Sequence, residues 1–312
     1  MGYGGVMVTS GTSKMAERAS AFFKTLQDSI SQGVERSDGR ARFVEDLWER
    51  EGGGGGRTRV MEGGRAIEKG GVNFSAVHGE LPEEFARKVG GEGRDFFATG
   101  VSLVLHPNNP FCPTVHANFR YFEQGSVRWF GGGADLTPSY LFVEDARHFH
   151  ATFKRACDAH NPEHYPRFKE WCDRYFFLRH RNETRGVGGI FFDHLGRDGG
   201  DFEAIFRFVQ DAGHAFLPAY LPLVERRANL AYTPQHRRHQ LLRRGRYVEF
   251  NLVYDRGTIF GLETNGRVES ILMSLPPLAR WGYAYEPAPG TAERRMADHL
   301  KAVDWLKERG SP

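Results

Sequence analysis

The residues best suited to chemistry in this 312-residue chain lie in one stretch, Cys112 to Pro138, which reads CPTVHANFRYFEQGSVRWFGGGADLTP. In its first half Val115, Ala117, Phe119 and Tyr121 fall on one parity, and His116, Asn118 and Arg120 on the other. A period of two is the strand signal, so the two sets point to opposite faces. One face is apolar and built for packing. The other lines up an imidazole, an amide and a guanidinium about 7 Å apart, a donor-rich strip suited to an anionic ligand. Val127 to Phe130 reads as a return strand that runs into Gly131, Gly132 and Gly133, where backbone can turn sharply or approach a ligand. A surface hairpin would show the same alternation, but it needs one or two turn residues rather than three glycines followed closely by Asp135. A lone Asp in that position either caps a turn or, if partly buried, accepts ligand hydrogen bonds or acts as a base.

The other titratable groups are less sharply placed. Ser102 and His106 share a parity on the strand expected over Phe96 to Leu105, so they face the same side. His148 and His150 lie two apart on a helix expected over Glu144 to Asp158, hence on different faces. No HExxH pattern and no strand His-x-His pair is present, so the histidines are expected to hydrogen-bond and move protons near neutral pH. Arg181 and Arg185 flank Glu183, which predicts a local salt bridge. Arg120 and Arg267 sit in strand contexts beside turns, and Arg120 is the better ligand candidate because His116 and Asn118 share its face. The three cysteines are an odd number with no CxxC pair, which argues against a disulfide framework or a structural zinc and for a reducing compartment.

The elements that position these groups follow from periodicity. Met15, Ala19, Phe22, Phe23, Leu26 and Ile30 predict a helix opening after Ser13. Phe43 to Arg50 fits strand or helix. Gly52 to Gly56 reads as a loop or lid, followed by a hairpin of Arg57 to Met61 and Arg65 to Lys69 around Gly63-Gly64. Val72 to His78 is a further strand. Tyr165 to Arg179 and Asp201 to Tyr220 are read as helices, and Gly186 to Asp193 as loop and strand. The basic run from Arg226 to Arg244 lacks interleaved aromatics, so it is read as a solvated helix face, not a nucleic-acid patch. Tyr247 to Tyr254, Thr258 to Glu263 and Val268 to Met273 are predicted strands, the last two joined at the Asn265-Gly266 turn. A closing helix is expected over Thr291 to Lys307. These elements predict one α+β domain over 1–312, a mainly antiparallel sheet flanked by helices on both faces. Hydrophobic content of 40%, 25 phenylalanines and a net charge of +3 fit a globular chain with ample core. The sequence has no apolar run long enough for a membrane helix. Residues 1–14 read as a flexible N-terminus with no secretion or import signal, so a cytoplasmic setting is expected.

HANFRYFE followed by WFGGGADLTPSYLF closely resembles the oxygen-dependent coproporphyrinogen III oxidases of haem biosynthesis. The resemblance continues through VSLVLHPNNPFCPTVH, WCDRYFFLRHRNETRGVGGIFFD and RRGRYVEFNLVYDRGTIFGLETNGRVESILMSLPPLARW, spanning Phe22 to Leu306. It implies oxidative decarboxylation of the ring A and B propionates of coproporphyrinogen III to vinyls, giving protoporphyrinogen IX. Dioxygen is the acceptor, carbon dioxide and hydrogen peroxide leave, and no redox cofactor is required. By similarity, Ser102, Asn118, Phe119, Arg120, Asn265, Gly266 and Arg267 contact the substrate, and His116, Asp135 and Arg120 are the catalytic group. His116 matches the proton donor, and Asp135 would hold or deprotonate the pyrrole N–H groups. His106, His116, His150 and His180 match metal-associated positions, which leaves a divalent metal open. The family's homodimer is expected to form through residues 247–282. Where bacterial members often have Gly-Gly-Arg, this chain has Asn265-Gly266-Arg267. Two rival readings remain, a metal-dependent oxygenase and a non-catalytic tetrapyrrole carrier.

Overall fold

A computed structural model describes residues 13–263 and 266–308. The strands are β1 (Val44–Glu49), β2 (Gly54–Glu62), β3 (Ile67–Glu80), β4 (Asp95–Pro107), β5 (Thr114–Gln124), β6 (Val127–Thr137), β7 (Phe177–Leu178), β8 (Glu183–Thr184) and β9 (Gly188–Leu195). Seven of them form one antiparallel sheet in the order β1-β2-β3-β4-β5-β6-β9, and β7 pairs with β8 separately. The helices are α1 (Lys14–Asp38), α2 (Glu83–Val89), α3 (Val143–Asp158), α4 (His164–Tyr175), α5 (Phe202–His214), α6 (Phe216–Arg227), α7 (Pro234–Val253), α8 (Arg256–Glu263), α9 (Val268–Leu272) and α10 (Ala292–Asp298). The expected α+β fold with an antiparallel sheet and helices on both faces is the observed one.

Strand parity decides what each face of the sheet does. Val101, Leu103, Val115, Ala117, Phe119, Phe130 and Ile190 are buried on one face, in a single core with the apolar sides of α1, α3, α5 and α6. Two buried polar groups tie α1 to this face. The Gln27 amide donates to the carbonyls of Arg57 and Val72 at 2.6 and 2.8 Å. Asp38, fully buried at the end of α1, accepts the backbone N–H groups of Arg65, Ala66 and Ile67 at 2.8 to 3.0 Å. The opposite face is roofed by the chain after residue 233. Met273 packs on Gly71, where a Cβ would stand 2.5 Å from its sulfur. Tyr247 meets the His106 ring at 5.1 Å between centroids.

That roof corrects the sequence reading. Tyr247 to Tyr254 is the end of α7, Thr258 to Glu263 lies in α8, and Val268 to Leu272 is α9. Over the whole of α7 the buried residues recur at helical spacing, His239 and Gln240, Arg244, Tyr247, then Phe250 and Asn251. A window opened at Tyr247 catches only the last turns, where alternation and helical spacing coincide. The start of α7 was legible, since Thr233 caps it and Pro234 occupies its first turn. Thr264 and Asn265 lie outside the described residues, and the segments on either side are helices, not hairpin strands. The basic run is not a solvated face either. Arg237 and Arg244 both pair with Glu68, at 2.6 and 2.7 Å, and Arg227 with Asp145 at 2.7 Å. Smaller differences follow. Residues 201–220 form two helices meeting at Ala215, α4 stops at Tyr175, and α10 stops at Asp298. Gly54 to Gly56 belong to β2, because Trp48 lies against Gly56 where a Cβ would be 2.2 Å from its ring.

Burial raises the Asp38 pKa, but the surrounding backbone N–H groups outweigh it and the carboxyl ends below its ordinary value. The stability it contributes is therefore present above the unfolded carboxylate pKa and lost as pH falls through the folded one. Asp38→Ala is expected to cost about 3 kcal/mol at neutral pH, since several buried donors lose their acceptor. Urea denaturation checks this, and the gap from wild type should narrow on acidification.

Candidate active site

Sheet register assembles the site from residues far apart in sequence. Asn73, Ser102, Asn118 and Gly133 are successive cross-strand partners on β3, β4, β5 and β6, and all four line a cleft between the sheet and the roof. One step along, Val104, His116 and Asp135 are partners, and one step the other way, Gly100, Arg120 and Gly131. The cleft has a cavity volume of about 250 Å³, just below the usual range for ligand sites. Tyr175, Phe176 and Phe191 form an aromatic wall, and Asn251, Asp255, Thr258, Ser270 and Ser274 supply polar atoms from the roof. The polar parity of β5 thus faces a ligand space, as its alternation implies.

Asp135 sits behind this surface. It is 1% exposed and does not line the cleft. One carboxylate oxygen accepts from His116 Nδ1 at 2.9 Å and from Arg185 at 2.7 Å, and the other accepts from Arg185 Nε at 3.2 Å. Arg185 is itself buried. Its guanidinium carbon stands 4.1 Å from the Phe176 ring centroid and 4.7 Å from those of Tyr247 and Phe250. A further N–H goes to Asn251 Oδ1 at 3.0 Å. Burial pushes the Asp135 pKa up, but Arg185 and then His116 outweigh it, so the carboxyl lies below its usual value and is ionised. A carboxylate held in this way is a hydrogen-bond anchor for His116 more than a free base. With Nδ1 committed to Asp135, Nε2 has no partner among the described residues and is the ring atom available to the cleft.

The four histidines do not converge. His106 is held by Thr114 at 3.3 Å and the Ser274 carbonyl at 2.9 Å, and burial with nearby Arg244 lowers its pKa to about 3. His150 lies between the Tyr165 hydroxyl and the Val187 carbonyl, and burial lowers it to about 4. His180 bridges Tyr254 and Glu249 at 2.8 and 2.7 Å. Both ring nitrogens of His106, His150 and His180 are occupied, and among the described residues no three His, Cys, Asp or Glu side chains could hold an ion together. The donor set at these positions does not fit a shared divalent metal.

Of the substrate positions implied by resemblance, Ser102, Asn118 and Arg120 come together in the cleft. Arg267 does not line it, but donates to Ser270, which does, and pairs with Asp46, and the Gly266 N–H bonds to Gly261. Asn265 is outside the described residues. The Phe119 ring is fully buried on the packing face, so its side chain does not reach the cleft. The local salt bridge expected around Glu183 is replaced by longer links. Arg181 pairs with Glu249, Glu183 with Arg243, and Arg185 with Asp135. Sequence reasoning therefore missed Arg185 as a site residue. The available signal was a cation immediately before the glycine-rich and apolar run from Gly186 to Phe192, which carries no carboxylate. Asn251, Thr258 and Ser270 were missed because their helices were read as strands.

An antiparallel sheet presenting guanidinium, imidazole and amide groups to an aromatic-walled cleft suits a polyanionic substrate. Residues 18–305 match the family model described as coproporphyrinogen III oxidase. The chain is 54% identical to the oxygen-dependent coproporphyrinogen-III oxidase of Parasynechococcus marenigrum (strain WH8102), over 93% of this chain and 87% of that protein. It is 53% identical to the protein of that name from Synechococcus sp. (strain CC9605), with the same coverage. It is 50% identical to that of Prochlorococcus marinus (strain MIT 9312), over 94% and 93%. The chain belongs to the coproporphyrinogen III oxidase family.

Arg185→Met should leave the Asp135 charge buried beside His116 alone, at a cost of about 3–5 kcal/mol. The double variant with Asp135→Asn should recover a large part of that loss. A double-mutant cycle by urea denaturation measures the coupling, and additive losses would contradict the pairing. Because the Asp135 pKa is depressed, the wild-type advantage is expected to shrink as pH falls through the folded pKa.

Proposed function

We propose that this chain oxidatively decarboxylates the ring A and B propionates of coproporphyrinogen III to vinyls, producing protoporphyrinogen IX. For each propionate, the carboxylate leaves as carbon dioxide and a hydride equivalent leaves the β-carbon. Dioxygen accepts those two electrons and becomes hydrogen peroxide. The balance takes up one proton per propionate. The observation that carries the reading is the His116–Asp135–Arg185 chain beneath a cleft lined by Ser102, Asn118 and Arg120.

Each group then has a role. Arg120, with Asn118 bonded to its guanidinium at 3.0 Å, takes a propionate at the cleft surface. Asp135 fixes the His116 ring with Nε2 toward the substrate, and His116 relays the proton that the reaction consumes. Asp135 works through His116 and through the field it shares with Arg185. An electron-rich pyrrole, once its N–H proton has passed to His116 Nε2, reduces dioxygen to a peroxide adduct that removes the propionate β-hydrogen, and the pyrrole regains a proton as hydrogen peroxide leaves. The aromatic wall and the roof keep water away, and the protein supplies orientation and charge pairing. The chain is read as cytoplasmic, and among the described residues no helix is long and apolar enough to cross a membrane. It is further read as a homodimer joined through residues 247–282, where Leu252, Val253, Val268, Leu278 and Trp281 are exposed.

Oxygen uptake with chromatographic product analysis tests this reading. Two dioxygen molecules should be consumed per coproporphyrinogen III, in chelator-treated protein as in untreated. Loss of turnover restored by a divalent metal would favour the metal-dependent oxygenase, and porphyrin binding without oxygen uptake would favour a carrier. His116→Ala is expected to lower kcat by about 100-fold or more while coproporphyrin binding changes little.

A further inference from the structure

Arg120 faces the cleft already matched to a carboxylate of the protein. Its guanidinium forms an ion pair with Asp193 at 2.7 Å, and Asn118 Oδ1 accepts from the same side chain. The backbone is shaped to permit this pair. Between Phe130 and Gly132 the β6–β9 register shifts, so that two steps on β6 span three on β9 and Asp193 leaves the ladder. His194 follows with φ 54°, a left-handed conformation rare outside glycine, and its N–H is held by Asp193 Oδ1 at 2.9 Å. Opposite Arg120 stands Gly131, where a Cβ would lie 2.6 Å from Asp193 Oδ1 and 2.9 Å from the guanidinium carbon. The first glycine of the triplet thus clears the space in which cation and carboxylate meet.

We infer that Asp193 competes with a reacting propionate of the substrate for the Arg120 guanidinium, yielding it on binding and reclaiming it once that propionate has left as carbon dioxide. This rests on the function proposed above. The chemistry explains why a competitor is useful. Decarboxylation removes the anion that Arg120 was holding, and a partly buried cation without a partner is unfavourable. A resident carboxylate restores the pair without solvent entry, so the vinyl product is released from a cleft that no longer needs its carboxylate. Asp193 acts through Arg120 and is a positioning residue.

Fluorescence titrations with coproporphyrin III and protoporphyrin IX separate this from a scaffold role. Asp193→Asn keeps the acceptor for the His194 N–H, so the thermal midpoint should move little. Its Kd for coproporphyrin III should fall roughly twofold to fivefold, the scale of a solvent-accessible ion pair, while that for protoporphyrin IX stays unchanged. In an Arg120→Met background, Asp193→Asn should have no effect on either. Weaker coproporphyrin binding by Asp193→Asn would show that Asp193 merely steadies Arg120 and overturns the inference, and equal tightening of both porphyrins would overturn the assignment to a reacting propionate. Wild-type protein that binds coproporphyrin III but consumes no oxygen with coproporphyrinogen III would refute the proposed function and leave the competition for Arg120 standing. Wild-type protein that binds neither porphyrin would overturn both.

Discussion

The buried pair between Asp135 and Arg185 is the constraint around which the site is arranged. Two ions removed from water must satisfy each other and every remaining hydrogen-bonding atom, or the fold loses more than the pair contributes. The chain meets that demand with groups from four separate elements. β6 supplies the carboxylate, β5 the imidazole, the segment after β8 the guanidinium, and α7 the Asn251 amide. Phe176, Tyr247 and Phe250 enclose the guanidinium and exclude water. The result is a fixed carboxylate placed behind the ligand space, with His116 and Arg185, but not Asp135, lining the cleft.

The roof is anchored by the same kind of interaction at a distance. Glu68 on β3 pairs with Arg237 and Arg244 of α7, and the Pro107 carbonyl at the end of β4 accepts from Arg244 and Gln240. Burial raises the Glu68 pKa, but Arg237 and Arg244 outweigh it and the carboxyl lies below its usual value. These contacts hold α7 against the open face of the sheet, so that α8 and α9 can overhang the cleft with Thr258, Ser270 and Ile271. The basic run that looked like a solvated face is thus the fastening between roof and floor.

The floor of the site was readable from the sequence because strand parity is a local property. His116, Asn118 and Arg120 had to share a face, and Val115, Ala117 and Phe119 had to pack, whatever the rest of the chain did. The roof was not readable in the same way. Over eight residues, Tyr247 to Tyr254 satisfies a period of two as well as one of 3.6, and only the longer pattern back to Thr233 separates them. Partner choice was also hidden. Arg185 has Glu183 two residues away, yet it reaches Asp135, 50 residues distant in sequence, because β8 ends and the chain turns under the sheet there. Asp135 was singled out in the sequence as the sharpest carboxylate. Its burial behind His116 depends on tertiary packing that no local pattern encodes.

The most direct test of this account is the tautomer of His116, read from the ring nitrogen shifts of 15N-histidine-labelled protein. A carboxylate fixed by Arg185 and bonded to Nδ1 should hold the neutral ring with its proton on Nδ1 and leave Nε2 bare toward the cleft, and Asp135→Asn should remove that preference. A neutral ring protonated on Nε2 in the wild-type protein would contradict the account, because the cleft would then face a donor that Asp135 does not set.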